Sequence, residues 1–371
     1  MERPYQARPT VAEIDGRALA GNFAELARVV GPRVEILPVV KSDAYGHGLV
    51  LTARILHDAG AEGFAVATAA EGEALRAAGV SGAIVVLGGV YPAEYESVVE
   101  GRLTPVLWEV ETAKALAAVA RAAGRVVPVH VKVDTGMSRL GVAPGEARGL
   151  LAALARIDGI TVEGLLTHFS SAETVGTAET ARQLAIFERL VRELEAARLR
   201  PRWVHAANSA ATLAAPETHF DLVRPGLALY GVHPAPPFKS HARLQPVMRF
   251  VTRVVALRTV APGSAVSYGG TFVATRQSRI ATLPVGYADG YPRALSGCGE
   301  VVLRGARVPV AGRICMDQTM IDVTDVPAAS LDDEVVLWGE ALPVDEVAAR
   351  AGTIAYELLA RVGARVPRVA I

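Results

Sequence analysis

The chain has little of several residue types, and each scarcity excludes a class of protein. It contains two cysteines in 371 residues, Cys298 and Cys315, which cannot form a disulfide scaffold or a four-ligand zinc site. Aromatic residues make up 5% of the chain and hydrophobic residues 51%, which is typical of an aliphatic globular protein and not of a disordered one. No stretch reaches the ~18 uninterrupted apolar residues that a membrane-spanning helix needs.

A net charge of one sign is also lacking, because 38 basic residues balance 38 acidic residues. A neutral chain has no electrostatic case for nucleic acid or an anionic membrane as its main partner. Residues 1–6 lack the apolar core of a signal peptide, and the cysteines are expected to be free thiols in a reducing compartment. These features predict a cytoplasmic protein with neither a nucleic-acid nor a membrane partner.

Lysine is the scarcest charged residue. It occurs only at Lys41, Lys114, Lys132 and Lys239, and the other 34 of the 38 basic residues are arginine. Lysine can lose its proton and arginine cannot, so a remaining lysine can serve chemistry that needs a neutral amine. A GC-rich genome would equally leave four lysines by chance. The residues around each lysine therefore have to show whether it has a functional role.

Short β-branched runs alternate with segments of helical period over residues 34–225. Strands that alternate with helices predict parallel pairing through right-handed crossovers. Eight such units in ~190 residues favour a (β/α)₈ barrel, and the alternative, a doubly wound sheet, is weakened because no G-x-G-x-x-G follows a strand. The predicted strands are 34–40, 64–67, 84–87, 104–108, 127–134, 161–167, 203–207 and 221–223, with helices at 49–59, 69–78, 109–123, 143–156 and 178–199.

The pattern changes beyond a proline-rich loop or linker at 232–239. Runs of β-branched residues predict strands at 248–260, 279–285, 300–310 and 333–338, with a turn at Gly305, and helical period returns only at 344–351 and 356–362. The sequence therefore predicts a barrel domain over 1–240 and a mostly β domain over 241–371. A strand at 10–14 precedes the barrel and is a candidate to pair with the second domain.

Polar residues follow several predicted barrel strands at their carboxyl ends, where parallel barrels collect their chemistry. They are Lys41, Arg139, His168, Asn208, Ser209 and Arg224, with Lys132 near the end of strand five and Gly226 two residues after Arg224. Lys41 follows a mostly apolar strand, so desolvation should lower its pKa and favour Schiff-base chemistry. Loops after strands seven and eight commonly bind phosphate. The residues alone fit pyridoxal phosphate or an aldolase acting on a phosphorylated sugar.

The segment VVKSDAYGHG at 39–48 resembles the pyridoxal-lysine signature of alanine racemases. Later segments resemble the same family in order and approximate spacing, namely SYGGTF at 267–272, GYADGYPR at 286–293, CMDQ at 315–318, and Tyr356. Ser42 stands where the family more often has alanine. The resemblance covers nearly the whole chain. It implies a homodimeric enzyme that interconverts L- and D-alanine with pyridoxal 5′-phosphate and supplies D-alanine for peptidoglycan.

The resemblance also implies roles for single residues. Lys41 would hold the cofactor and act as one base, and Tyr268 of the partner subunit would act as the other. A phenol needs cationic or hydrogen-bonding neighbours to act as a base, and His168 and Arg224 are the matching candidates. Arg224 would also donate to the pyridine nitrogen.

Binding roles follow from the same resemblance. The implied cofactor contacts are Tyr45, Asn208, Ser209, Gly226 and Tyr356, and the implied substrate contacts are Arg139, Met316, Asp317 and Tyr287. Lys132 would carry a carbamate that positions Arg139, with an ordinary ammonium paired to Asp134 as the alternative.

Three rival functions remain open at this stage. A broader amino-acid racemase or a related decarboxylase would share the barrel fold. A non-enzymatic pyridoxal phosphate carrier resembles the barrel alone and lacks the segments around Tyr268 and Met316. No spacing typical of a metal site is present, and the other histidines are given no role, since His130 lies within a predicted strand and His47 accompanies the lysine segment.

Overall fold

The computed structural model describes residues 8–174 and 176–371, so the N-terminal residues considered for a signal peptide lie outside the described part. The chain divides into two compact units. The first comprises residues 19–44 and 49–244, and the second comprises the described residues up to Ala18 together with 45–48 and 245–371. No helix within the described ranges is long and apolar enough to cross a membrane.

The secondary structure alternates through the first unit and is mostly β in the second. In chain order the strands are β1 (Val11–Ile14), β2 (Glu35–Ile36), β3 (Gly63–Val66), β4 (Ala83–Val86), β5 (Thr104–Leu107), β6 (Val127–Lys132), β7 (Ile160–Leu166), β8 (Trp203–His205), β9 (Leu222–Val223), β10 (Met248–Arg253), β11 (Ala256–Val260), β12 (Ala265–Val266), β13 (Phe272–Val273), β14 (Ser278–Leu283), β15 (Glu300–Leu303), β16 (Ala306–Pro309), β17 (Thr319–Asp322), β18 (Glu334–Trp338) and β19 (Arg368–Ala370). The helices are α1 (Gly16–Val30), α2 (Lys41–Tyr45), α3 (Leu49–Asp58), α4 (Ala69–Ala77), α5 (Tyr95–Glu100), α6 (Val110–Ala122), α7 (Pro144–Leu154), α8 (Ala178–Ala196), α9 (Ser209–Ala214), α10 (Val344–Arg350) and α11 (Ala355–Ala360).

The strands of the first unit close into a parallel barrel. Strands β3 to β8 form a parallel sheet in sequence order, and β2 pairs in parallel with β9. The Val40 amide donates to the Ala65 carbonyl at 2.9 Å, and the Asp221 amide donates to the Val204 carbonyl at 3.1 Å. These bonds join β2 to β3 and β9 to β8, so the ring is complete, and the predicted (β/α)₈ barrel is confirmed.

Each predicted barrel strand overlaps an observed one, because parallel strands covered on both faces are continuous apolar runs. Phe64, Ile84 and Val106 are fully buried members of this core. The five predicted helices correspond to α3, α4, α6, α7 and α8. Helices α1, α2, α5 and α9 were not predicted. Helices α2, α5 and α9 have five or six residues, too few to display helical period, whereas α1 has 15 residues and precedes the first predicted barrel strand.

The second unit is built on a six-stranded sheet of order β16-β15-β18-β10-β1-β19 and a three-stranded sheet of order β11-β14-β17. Strand β1 pairs antiparallel with β10 and parallel with β19. The run 248–260 is not one strand: β10 and β11 belong to different sheets, and the chain changes sheets between them. The run 300–310 is a hairpin of β15 and β16 that turns at Gly305, as predicted.

Candidate active site

Lys41 follows β2 and begins α2, a single turn with left-handed backbone. The three residues after Lys41 have φ angles of 54° to 55°, a region that costs L-residues about 1–2 kcal/mol each. Two carboxylates hold this turn. Asp43 Oδ1 accepts a hydrogen bond from the Leu49 amide at 2.7 Å, and Glu71 Oε1 accepts one from the Ser42 amide at 2.6 Å. The strained turn therefore fixes the position of the Lys41 backbone after the barrel strand β2.

Glu71 is a positioning residue that sequence reasoning missed. Its Oε2 accepts from the Ala67 amide at 2.8 Å and the Thr68 amide at 3.3 Å, so one side chain ties the end of β3 to the turn after Lys41. The capping-box spacing from Thr68 to Glu71 was visible in the sequence and predicts only the helix cap. The contact with Ser42 spans 29 residues and needed the fold.

Positive charges surround Lys41 within the first unit. Burial lowers the pKa of Lys41, and the charges of Arg139 and Arg224 lower it further. Burial, with help from Arg224 and Arg139, lowers the pKa of Lys132 to about 8. The structure therefore brings together four basic side chains that lie in or after three different barrel strands. Such a cluster suits an anionic ligand.

Arg224 is a buried cation held entirely by neutral acceptors. Nη1 donates to His205 Nδ1 at 2.8 Å, and Nη2 donates to the carbonyls of Thr167 at 2.8 Å and Ala206 at 3.1 Å, with His168 Nδ1 at 3.4 Å. Burial lowers the pKa of Arg224 to about 9, which leaves the guanidinium protonated at neutral pH. Its Nε has no hydrogen-bond partner among the described residues, so this N–H can donate to a ligand.

His168 lies beside this guanidinium and is neutral. Burial lowers its pKa well below the ordinary value, and the charges of Arg224, Lys132, Arg139 and Lys41 add to that effect. A neutral imidazole can accept the hydrogen bond from Arg224. His168 is thereby placed within the predicted site.

The region predicted to bind phosphate is assembled from two loops. Ser209 Oγ accepts hydrogen bonds from the Gly226 amide at 2.9 Å and the Ala228 amide at 3.2 Å, which joins the start of α9 to the loop after β9. Asn208 Oδ1 caps α9 by accepting from the Ala211 amide at 3.1 Å. The side-chain oxygen of Asn208 therefore stabilises the first turn of α9.

In the second unit, Tyr268 lies between two residues with left-handed backbone conformations. Ser267 has a left-handed φ of 66°, and its Oγ donates to the Arg313 carbonyl at 2.6 Å. Gly269 has a φ of 69°, and a Cβ there would lie 2.9 Å from Arg313 Nη1. Tyr268 itself is 71% exposed. The chain thus fixes the backbone of Tyr268 while leaving its side chain available.

The segment that carries Met316 packs on the segment that carries Tyr287. The Tyr287 amide donates to the Cys315 carbonyl and the Ala288 amide to the Met316 carbonyl, both at 3.1 Å. A Cβ at Gly286 would overlap the carbonyl oxygens of Cys315 and Met316, so only glycine permits this approach. Met316 and Tyr287 remain exposed.

A buried carboxylate, Asp289, anchors this pair of segments. It accepts from Arg8 at 2.9 and 3.0 Å, from Arg365 Nε at 2.7 Å and from the Gly286 amide at 2.9 Å. Burial alone would raise the pKa of Asp289, but the hydrogen bonds of Arg8 and Arg365 lower it below its ordinary value. Arg365 also donates to Asp317 Oδ1 at 2.6 Å. Asp289 and Arg365 were not singled out from the sequence.

Tyr45 and Tyr356 also lie together in the second unit. Their ring centroids are 6.0 Å apart, although 311 positions separate them in the sequence. The predicted site residues therefore fall into two groups. Lys41, Lys132, Arg139, His168, Asn208, Ser209, Arg224 and Gly226 belong to the first unit, and Tyr45, Tyr268, Tyr287, Met316, Asp317 and Tyr356 belong to the second.

Comparison with known proteins covers both units. The family model for the N-terminal domain of alanine racemase matches residues 14–234, and the model for its C-terminal domain matches residues 247–370. A curated relative, the alanine racemase of Halothermothrix orenii, is 44% identical over 365 residues, which cover 97% of this chain and 96% of the relative.

Solved structures agree in fold along nearly the whole length. The alanine racemase of Bacillus anthracis with bound L-Ala-P is 34% identical with a TM-score of 0.92, over 98% of this chain and 95% of that one. The alanine racemase of Bartonella henselae with covalently bound pyridoxal phosphate is 33% identical with a TM-score of 0.88, over 98% of this chain and 99% of that one. The chain therefore belongs to the alanine racemase family of pyridoxal phosphate-dependent isomerases.

Proposed function

We propose that this chain interconverts L- and D-alanine with two bases, Lys41 on one face of the substrate and Tyr268 of the partner subunit on the other. The observation that carries this proposal is the amine of Lys41, whose pKa is lowered by burial and by Arg139 and Arg224. A lowered pKa increases the fraction of neutral amine, which is the form that can take up a proton. Inverting a stereocentre requires one acid or base group on each face, and Tyr268 has the exposure that a second base needs.

The residues of the first unit fit pyridoxal 5′-phosphate. The positive charges of Arg139 and Arg224, which act on Lys41, suit its negative charges, and the unpartnered Nε of Arg224 suits an acceptor nitrogen. When bound, the cofactor withdraws electrons from the α-carbon and makes its proton removable. Arg224 can donate a hydrogen bond and does not give its proton away, which limits that withdrawal.

The chain's own side chains then divide the remaining tasks. Nζ of Lys41 and Oη of Tyr268 remove and return the α-proton. Arg139 and the Met316 amide bind the substrate carboxylate, and Asp317, tied to Arg365, steadies the Met316 loop. A large substituent on the substrate is excluded by Tyr287, which favours alanine.

The phosphate is assigned to a second set of residues. Ser209 and Gly226 would bind it from the barrel, and Tyr45 and Tyr356 would bind it through their hydroxyls. Asn208 caps α9 and so orients the Ser209 end of that helix. The support is the contact between Ser209 Oγ and the Gly226 amide, and the pairing of the two tyrosine rings.

The proposal includes a homodimer with active sites at the subunit interface. Its support is the exposure of large side chains in the second unit, since Tyr268, Met316 and Ile354 are 71%, 53% and 61% exposed. The segments that carry Tyr268 and Met316 meet, since Ser267 Oγ lies 3.6 Å from Cys315 Sγ. Neighbouring exposed apolar side chains of this kind mark interaction surfaces. A role in supplying D-alanine for peptidoglycan and a cytoplasmic location stay predictions.

The substrate assignment is tested by a chiral assay. Purified protein is incubated with L-alanine, L-serine or L-lysine, with and without added pyridoxal phosphate, and both enantiomers are quantified. We expect the fastest conversion for alanine and loss of activity after the cofactor is removed. A preference for lysine would contradict alanine as the substrate but would not affect the two-base mechanism. Release of CO₂ would favour a decarboxylase.

Lys132 is proposed to carry a carbamate. The residue is 5% exposed, and burial lowers the pKa of its amine to about 8. The alternative ion pair with Asp134 is not found among the described residues, and Asp134 Oδ1 instead accepts the amides of 136, 137 and 138 at 2.9 to 3.0 Å. Only a neutral amine adds CO₂, forming a carbamate and releasing one proton.

The occupancy of this carbamate should rise with pH. With a pKa of about 8, the neutral fraction of Lys132 grows roughly from a tenth at pH 7 to nine tenths at pH 9. Native mass spectrometry in bicarbonate should show one added CO₂ that increases over this interval. The Lys132→Arg variant serves as the control and should lack it. A bare mass at both pH values would contradict the carbamate.

A further inference from the structure

Two histidines extend the contacts of Arg224 away from the site. His205 Nδ1 accepts from Arg224 Nη1 at 2.8 Å, and His205 Nε2 lies 3.0 Å from Nδ1 of His130. His130 and His205 are 4% and 0% exposed, and their rings meet edge to face with centroids 5.0 Å apart. The sequence offered no reason to place His130 in the site.

Hydrogen-bond chemistry determines the protonation of this chain of groups. A guanidinium can only donate, so Nδ1 of His205 must be the acceptor and its proton must sit on Nε2. That proton is then donated to His130 Nδ1, which leaves the proton of His130 on its own Nε2. Any other arrangement would set two donors or two acceptors against each other in a buried place.

Both imidazoles are neutral, as this arrangement requires. Burial lowers the pKa of His130 to about 3, and the charge of Arg224 contributes. Burial lowers the pKa of His205 well below its ordinary value, again with Arg224 as the next cause. A charged imidazole would present a donor at every nitrogen and would break the bond to Arg224.

The backbone is shaped to receive the His130 ring. His130 is paired in register with Gly164 of β7, where a Cβ would overlap the ring atoms of His130. The β6–β7 register shifts between Val129 and His130, an irregularity of the kind that re-aims a side chain beside a functional site. Glycine inside a strand usually weakens the strand. Gly164 is accounted for here because any larger residue would overlap the ring of His130.

We propose that His130 is a positioning residue of the cofactor site. By accepting a hydrogen bond from His205, it holds His205 in the tautomer that presents a lone pair to Arg224. The guanidinium is then fixed by four neutral acceptors, all of which contact Nη1 or Nη2, and its Nε is left without a partner among the described residues. This inference rests on the proposed assignment of Arg224 to the cofactor.

The tautomers are tested directly on the holoenzyme. Nitrogen NMR of protein labelled with ¹⁵N-histidine should show, for both rings, a protonated Nε2 and an unprotonated Nδ1. The signals are assigned with single-histidine variants. A proton on Nδ1 of His205, or a charged ring at either position, would overturn the proposal whatever the variants do.

Variants test the connection to the cofactor. His130→Leu removes the acceptor, and His130→Asn retains an acceptor oxygen near the Nδ1 position. We expect His130→Leu to raise the dissociation constant of pyridoxal phosphate about three- to tenfold, the usual effect of one hydrogen bond. His130→Asn should restore most of the affinity and the wild-type tautomer of His205.

His219→Leu is the matched control for loss of a buried imidazole. His219 is 5% exposed and its Nε2 lies 3.0 Å from the Thr212 carbonyl. This variant should lower Tm without changing cofactor affinity. Equal losses of affinity in His219→Leu and His130→Leu would overturn the proposal, as would unchanged affinity in His130→Leu. If His130→Leu does not fold, the NMR result and His130→Asn still decide.

Failure of the proposed function would look different. If Arg224 does not contact the cofactor, Arg224→Lys should leave the dissociation constant of pyridoxal phosphate unchanged. The protons of His130 and His205 should still lie on Nε2. Correct tautomers combined with an insensitive Arg224 would therefore contradict the assignment of Arg224 and overturn the positioning role with it. Reversed tautomers with a sensitive Arg224 would contradict only the role of His130.

Discussion

Replacing Lys41 by alanine should yield a folded protein that does not retain covalently bound cofactor and does not racemise alanine. The amine is proposed both to hold the cofactor and to move a proton, so the loss should exceed the 10²–10⁴-fold typical of one acid–base group. Retained cofactor is measured by visible absorbance after gel filtration, and conversion is measured by chiral assay. Lys41→Arg should be equally inactive, because arginine keeps the positive charge and does not give up its proton.

Lys114→Ala is the matched control for this experiment. Lys114 is 57% exposed and pairs with Glu111 at 2.7 Å on helix α6, an arrangement worth only a few tenths of a kcal/mol. Its removal should leave activity, cofactor content and Tm close to wild type. Activity that survives in Lys41→Ala would contradict the assignment of Lys41 as a base.

Replacing Tyr268 by phenylalanine should lower interconversion by about 10²–10⁴-fold, because the hydroxyl that serves one face is lost. The effect should be asymmetric. Lys41 still reaches its own face, so one enantiomer should continue to exchange its α-hydrogen for deuterium in heavy water while the other does not. Proton NMR of each enantiomer measures this exchange. Equal exchange of both would contradict the two-base proposal.

Mixing of subunits tests whether Tyr268 acts across the dimer. In a hybrid of Lys41→Ala and Tyr268→Phe subunits, one of the two sites would combine an intact Lys41 with an intact Tyr268. Random mixing should restore roughly a quarter of wild-type activity, since about half of the dimers are hybrids with one intact site. No recovery would place Tyr268 in the same subunit as its Lys41. Tyr91→Phe, at a tyrosine that is 70% exposed in the first unit, is the control and should stay fully active.

The barrel could be predicted because its signal is local. Strands buried on both faces are short apolar runs, and the helices between them show their period over 9 to 19 residues. The two sheets of the second unit were harder to predict from the sequence. The run 248–260 has strand character throughout, and nothing in its pattern says that β10 and β11 pair with different neighbours.

The candidate site divides in the same way. Lys41 and Tyr268 stand in segments whose residue order is distinctive, so their chemistry could be inferred without coordinates. Glu71 and Asp289 act through contacts between parts of the chain that no local pattern connects. Arg8 and Asp289, for example, are 281 positions apart. His130 reads as an ordinary strand residue until its ring is seen against His205.

The sequence by itself determined the alternation of strands and helices, the family, and the lysine able to act as a neutral amine. These properties depend on residue type and on spacing along the chain. Only the tertiary structure decided which charges surround that amine, which carboxylates hold the left-handed turn behind it, and which tautomers lead from His130 to Arg224. The reason is physical: desolvation, charge–charge interaction and hydrogen bonding depend on distance in space, and folding sets those distances between residues far apart in sequence.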